Sequence, residues 1–158
     1  MGADLYLESQ YLPQSGRAAP LFEKWARRRD RATTDAARDR AQRQVERYYD
    51  EMYACGYFRD SYNPSSLLWL FDLSWWGDVG ALLEETEESH LLQPAAAKRL
   101  LHELREREPV FAQRLQDIEP AEGETHADAV DYFQDKYARF KAFLGEAIDR
   151  DEPIRCSI

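Results

Sequence analysis

Long apolar runs are missing from this chain. The longest, Leu67 to Phe71, falls far short of the roughly 20 residues that a membrane-spanning helix needs, so a soluble protein that does not engage a membrane is expected. The opening MGADLYLESQ places Asp4 and Glu8 where a secretory signal would carry basic residues and then an apolar core. A cytoplasmic location follows as the expectation. Gly2 does not complete a myristoylation pattern, because the sixth position holds Tyr6 rather than Ser or Thr. Cysteine is scarce. Cys55 and Cys156 stand 101 positions apart with no CxxC pair, which argues against both a disulfide framework and a zinc site. No metal, nucleotide or nucleophile motif stands out, so no cofactor and no metal are predicted.

Charge is plentiful but uneven. Residues 1–60 hold eleven Lys and Arg against ten Asp and Glu, whereas 61–158 hold ten against twenty. The net charge of −9 therefore comes from the second part. Such an acidic surface repels nucleic-acid phosphate, so no nucleic-acid partner is expected, while a basic protein remains compatible.

Periodicity points to a mainly α fold. Asp4 to Glu8 alternates polar and apolar residues, as does Pro153 to Ile158, and these two short end strands can pair. Pro20 is expected to open a first helix that carries Leu21, Phe22 and Trp25 on one face and Arg27 to Arg31 at its end. Thr34 caps a second, with Ala37, Ala41, Val45, Tyr48, Met52 and Cys55 at helical spacing and Gly56 as a left-handed terminus. Asn63 and Pro64 read as cap and first residue of a buried helix through LLWLF, with Tyr57 to Tyr62 as connector. Asp78 is expected to cap a short helix reaching Glu88. Pro94 starts another, with Ala97, Leu100, Leu101 and Leu104 inward, and Pro109 restarts it around Phe111 and Leu115. After an acidic loop, a last helix runs from Thr125 to about Arg150 along Val130, Phe133, Tyr137, Phe140 and Leu144. The expected architecture is a single domain over residues 1–158, a bundle of five to seven helices with a minor β element from the two ends.

Several clusters invite chemistry. His102-Glu103-Leu104-Arg105-Glu106 approaches the HExxH metalloprotease pattern but has a carboxylate in place of the second His; a charged surface with Glu103 paired to Arg107 is the preferred reading. Asp128, Asp131 and Asp135 line one outer face beside His126, and a solvated face is preferred over a cation site. His90 stands alone in a loop. Arg40, Arg43 and Arg47 form a basic ridge, read as laced by ion pairs with Asp39, Glu46, Asp50 and Glu51.

The aromatics are the more unusual feature. Tyr48, Tyr49, Tyr53, Tyr57, Phe58, Tyr62, Trp69, Phe71, Trp75 and Trp76 crowd into 29 residues. Neighbours on a helix point about 100° apart, so adjacent rings cannot all enter one core, and part of the set should reach a surface where Tyr and Trp serve recognition. Arg59 and Asp60 sit beside them, either as a ligand-orienting pair or as a buried clasp that fixes the connector.

The opening MGADLY, together with YFRDSYN, LSWW and the closing PIRCSI, resembles a set of uncharacterised small bacterial and phage proteins that begin Met-Gly-x-Asp, an aliphatic residue and then Tyr or His. The resemblance implies a bacterial setting and no activity. The favoured function is a non-enzymatic module that binds another protein, or itself, through an aromatic and acidic surface. The candidate binding residues are Asp4, Arg59, Asp60, Tyr62, Trp75 and Trp76. The alternative is a small enzyme or ligand-binding protein whose pocket gathers Asp4, Arg59, Asp60, Tyr62 and Trp76, with His126 as a further candidate.

Overall fold

A computed structural model describes residues 2–61, 66–86 and 90–158. Six α-helices among these residues make the chain mainly α: α1 Glu8–Asp30, α2 Asp35–Met52, α3 Leu67–Leu70, α4 Pro94–Glu106, α5 Glu108–Gln116 and α6 His126–Asp149. A π turn at Trp75–Val79 and a 3-10 turn at Gly80–Leu82 follow α3. Five strands, β1 Gly2–Tyr6, β2 Tyr57–Ser61, β3 Glu84–Glu85, β4 His90–Leu92 and β5 Ile154–Ser157, form one sheet in the order β2-β1-β5-β4-β3. Packing divides the chain into two compact units, Leu7–Tyr57 and the remainder.

The smaller unit is a helical hairpin. Thr34 caps α2 as expected, its hydroxyl accepting from the Ala37 N–H at 3.3 Å. Ala41 and Val45 are buried on the inner face of α2, and Ala18 on that of α1. Gln14 Nε2 donates to the Glu51 carbonyl at 3.0 Å and Arg29 Nη1 to Gln42 Oε1 at 3.3 Å, which makes the helices antiparallel. Two expectations need correction. The first helix does not start at Pro20 but at Glu8, and it runs through both Pro13 and Pro20. Each ring removes one intrahelical bond, and the long contact with α2 outweighs the loss. The second helix ends at Met52, before Cys55, which is exposed. Gly56 does have positive φ, 64°, but for a different reason. It lies beyond the helix end, close to the start of α1, where a Cβ would come within 2.6 Å of Gln10 Cβ, and its carbonyl accepts from the Leu7 N–H at 2.8 Å.

The larger unit carries the sheet and the aromatic core. The chain ends pair antiparallel as expected, with Leu5 opposite Cys156, and β4 joins the other edge of β5. The sheet is larger than an end-to-end ribbon, because three further short strands enter it. Tyr57 to Ser61, expected as a connector, is β2, and His90, expected in a loop, begins β4. Alternation buries Phe58 and Asp60 and exposes Arg59. Gly2 lies so close to this strand that a Cβ would stand 2.5 Å from the Asp60 carbonyl oxygen, which explains glycine there without any lipid. Phe58 stacks on Phe140 of α6 at 4.5 Å, and Phe71 on Phe111 of α5 at 4.5 Å. α4, α5 and α6 follow their predicted bounds closely, the last capped by Thr125 and Asp128 in a reciprocal box.

The helix expected from Asp78 to Glu88 is replaced by the π and 3-10 turns and β3; Glu87 and Glu88 lie outside the described residues. Ser74 caps the π turn through the Gly77 N–H at 3.1 Å, and Asp78 accepts from the Ser74 N–H at 2.8 Å. The proposed Asn63 cap and Pro64 likewise lie outside the described residues. Ser66 caps α3, accepting from the Trp69 N–H at 3.1 Å.

Candidate functional site

The candidate residues divide between the core and the surface. Asp60, 2% exposed, faces inward from β2. Its Oδ1 meets Lys136 Nζ at 2.7 Å and accepts from the Leu67 N–H at 2.9 Å; its Oδ2 accepts from Trp75 Nε1 at 2.8 Å and from the Leu68 N–H at 3.4 Å. One carboxylate thus joins a strand, the start of α3, the π turn and α6. A buried charge is tolerable only when paired and hydrogen-bonded, and here both conditions hold. No buried side-chain polar atom among the described residues lacks a partner. This arrangement is the clasp form of the connector, but Arg59 is not its member.

Arg59 points to the opposite face and approaches Asp4 on the adjacent strand β1, Nε to Oδ1 at 3.7 Å, with Arg59 more than half exposed. Period-two alternation separates the neighbouring residues: Arg59 and Asp60 cannot act as one pair. Trp75 and Trp76 are divided in the same way. Trp75 is buried with its indole N–H on Asp60, while Trp76 is 66% exposed. Tyr62 lies outside the described residues.

Lys136 is the central residue that sequence reasoning missed. It stands three residues after Phe133 and four before Phe140, on the apolar stripe of α6, and is buried. A lone cation on a buried face is the signal that an acidic partner is waiting elsewhere in the fold.

A second polar cluster closes the far end of α3. Asp72 adopts φ 59°, in the left-handed region. Arg107 Nη1 donates to the carbonyls of Phe71 at 3.4 Å and Asp72 at 3.2 Å, and Arg114 donates to the Trp69 carbonyl and, at 2.5 Å, to Asp72 Oδ1. Arg107 also pairs with Glu103 at 2.5 Å, as the spacing predicts; that pairing holds its guanidinium above the usual arginine range. Arg114 stacks over Trp69, 4.7 Å from the ring centre, leaving the ring 45% exposed.

The remaining clusters are distributed as follows. His102 is exposed beside the Glu103–Arg107 pair. Asp128 serves the α6 cap, and bonds from Thr125 hold its carboxyl below the usual range. Asp135 pairs with Arg139 at 3.0 Å. Among the described residues no three His, Cys, Asp or Glu side chains gather as a metal site. The predicted lacing of the basic ridge does not form: Glu46 accepts from Gln42 at 2.9 Å, Arg47 lies over Tyr48, and Arg40 and Arg43 make no ion pair among the described residues. Burial pushes the Cys156 thiol up to about 12, so this sulfur is a packing group rather than a nucleophile. His126 lines a groove between α5 and α6, apart from the Asp60 cluster. No helix of the described residues is long and apolar enough to cross a membrane.

No protein-family model, curated protein or solved structure matches this chain.

Proposed function

We propose that the chain is a non-enzymatic protein-interaction module of the bacterial cytoplasm, and that Trp76 is the centre of its recognition surface. The observation that carries this reading is the splitting of the tryptophan pair: Trp75 is pinned inside by Asp60, and its neighbour is thereby held outward at 66% exposure. An exposed indole beside a fixed neighbour is the kind of group that dominates interface energetics. Support also comes from Asp60, whose oxygens are engaged by four donors within the core, a structural role rather than a substrate-facing one. The two free cysteines agree with a reducing compartment. The acidic unit around Trp76 suits a basic partner or a basic region of a second copy.

Trp76→Ala tests the reading. Its melting temperature should stay close to that of the parent, within about 0.5 kcal/mol of stability, while species retained by the parent in a bacterial lysate, or its self-association in sedimentation, should be lost. A stable Trp76→Ala protein that keeps every partner and the same sedimentation removes this surface from the proposal.

A further inference from the structure

Helices α5 and α6 run antiparallel and are tied together at two places. Tyr137 donates its hydroxyl proton to Glu108 Oε1 at 2.8 Å, and the His126 ring meets the Gln116 carbonyl at 3.2 Å. Between these ties lies an open groove of about 670 Å³ whose apolar lining includes Phe111, Leu115 and Val130. Its length is bounded by α5 itself, nine residues, or about 13 Å of helix axis. That volume falls in the range of small-molecule sites. The apolar floor is no longer than α5, so a compact molecule fits the space better than a partner helix of several turns.

The charge of the lining selects the ligand further. Its ionisable groups are Glu108, His126, Asp131 and Tyr137. Glu108 is already engaged by Tyr137 and by Lys141 Nζ at 3.6 Å, and Lys141 also lies over the Tyr137 ring. Asp131 makes no hydrogen bond or ion pair among the described residues, while its neighbours Asp128 and Asp135 are taken by Thr125 and Arg139. The unit that holds the groove carries 22 acidic against 11 basic side chains, so its field draws cations and repels anions.

We infer that the α5/α6 groove binds a compact apolar molecule with one cationic nitrogen, its body on Phe111, Leu115 and Val130 and its ammonium at Asp131. The site does not depend on the Trp76 surface, and Trp76→Ala should bind the same probe unchanged. The test is a titration of the full ¹⁵N-labelled chain with 2-naphthylmethylamine and, separately, with 2-naphthylacetate, followed by amide shifts. The amine should produce saturable shifts at Ala112 and Ala127, and the carboxylate should bind at least about tenfold more weakly. Asp131→Asn should remove most of that difference. Ala112→Trp, on an exposed position of α5, should fill the groove and abolish binding of both probes with an unchanged melting temperature. Equal affinity for the two probes, retained discrimination in Asp131→Asn, or shifts confined to other regions would overturn the assignment. So would saturable binding of an amphipathic Leu/Lys peptide with none of the amine, which would make the occupant a helix.

Discussion

In the Leu7–Tyr57 hairpin the buried side chains are Leu7, Ala18, Ala41 and Val45, and partly exposed rings form a seam: Tyr53 lies 4.9 Å from Tyr49, 4.5 Å from Tyr57 and 6.1 Å from Tyr11. The larger unit instead buries Phe58, Phe71, Phe111, Phe140 and Phe143 together with many leucines, and sets one ion pair among them. Alanine on the facing helices lets α1 and α2 approach closely, so shape and backbone fit hold the hairpin. In the larger unit a thick aromatic core makes the dielectric low enough for one carboxylate to matter. The aromatic excess noted in the sequence therefore has two separate uses, a tyrosine seam in one unit and a phenylalanine core in the other.

The largest effect expected from breaking this contrast is at Lys136. Lys136→Ala leaves Asp60 charged and without its cation in the core, and should cost about 3–5 kcal/mol. Chemical denaturation followed by tryptophan emission checks it. Asp60→Asn with Lys136→Met, which keeps an amide oxygen for the N–H groups of Leu67, Leu68 and Trp75, should lose less than the sum of the two single changes, whereas an additive double mutant would show that the pair is not coupled. The hairpin counterpart is Gly56→Ala, where positive φ and the approach of Gln10 together should cost about 1–3 kcal/mol. The same denaturation series reads it, and a neutral result would mean that the loop relaxes freely. The smallest effect concerns pH at the α6 cap. Bonds from Thr125 depress the Asp128 carboxyl, so its contribution is present above the unfolded carboxylate value of 3.8 and is lost as pH falls below that through the folded value. Asp128→Asn should therefore lower the neutral plateau of the melting temperature slightly and converge with the parent at the acid end, which flattens the acid limb, as thermal melts between pH 2 and 7 would reveal.

Much of the helical architecture was legible because its boundaries carry local chemistry. Thr34, Pro94, Pro109 and Thr125 each mark a helix start through a cap or a fixed φ, and the tail alternation marks β5. The β1–β5 pairing was legible for the same reason. α1 was hidden because two prolines read as breaks, although a helix laid along a partner can absorb a missing bond. β2 was hidden because its inward residues are Phe58 and Asp60, and an inward aspartate violates the apolar alternation by which strands are recognised. β3 and β4 are too short to alternate. At the site, adjacency in sequence misled most: Arg59 beside Asp60 and Trp75 beside Trp76 look like pairs, yet each pair is parted, the first by strand geometry and the second by burial of only one indole. The true partner of Asp60 lies 76 positions away, where only the fold could bring it.

α3 shows what such distant partners do to the order of events in folding. It has four residues, too few to nucleate alone in water. Its first amides rest on Asp60, its last carbonyls on Arg107 and Arg114. Its start is held locally by Ser66 and Asp60, but its end is closed by Arg107 and Arg114, groups remote in the chain. It can therefore be completed only after α5 has come in, so it should be absent from the folding transition state and act as a brake on unfolding. Leu68→Ala should then speed unfolding and leave the folding rate almost untouched; a folding rate that drops in proportion to the lost stability would place α3 among the first elements to form instead.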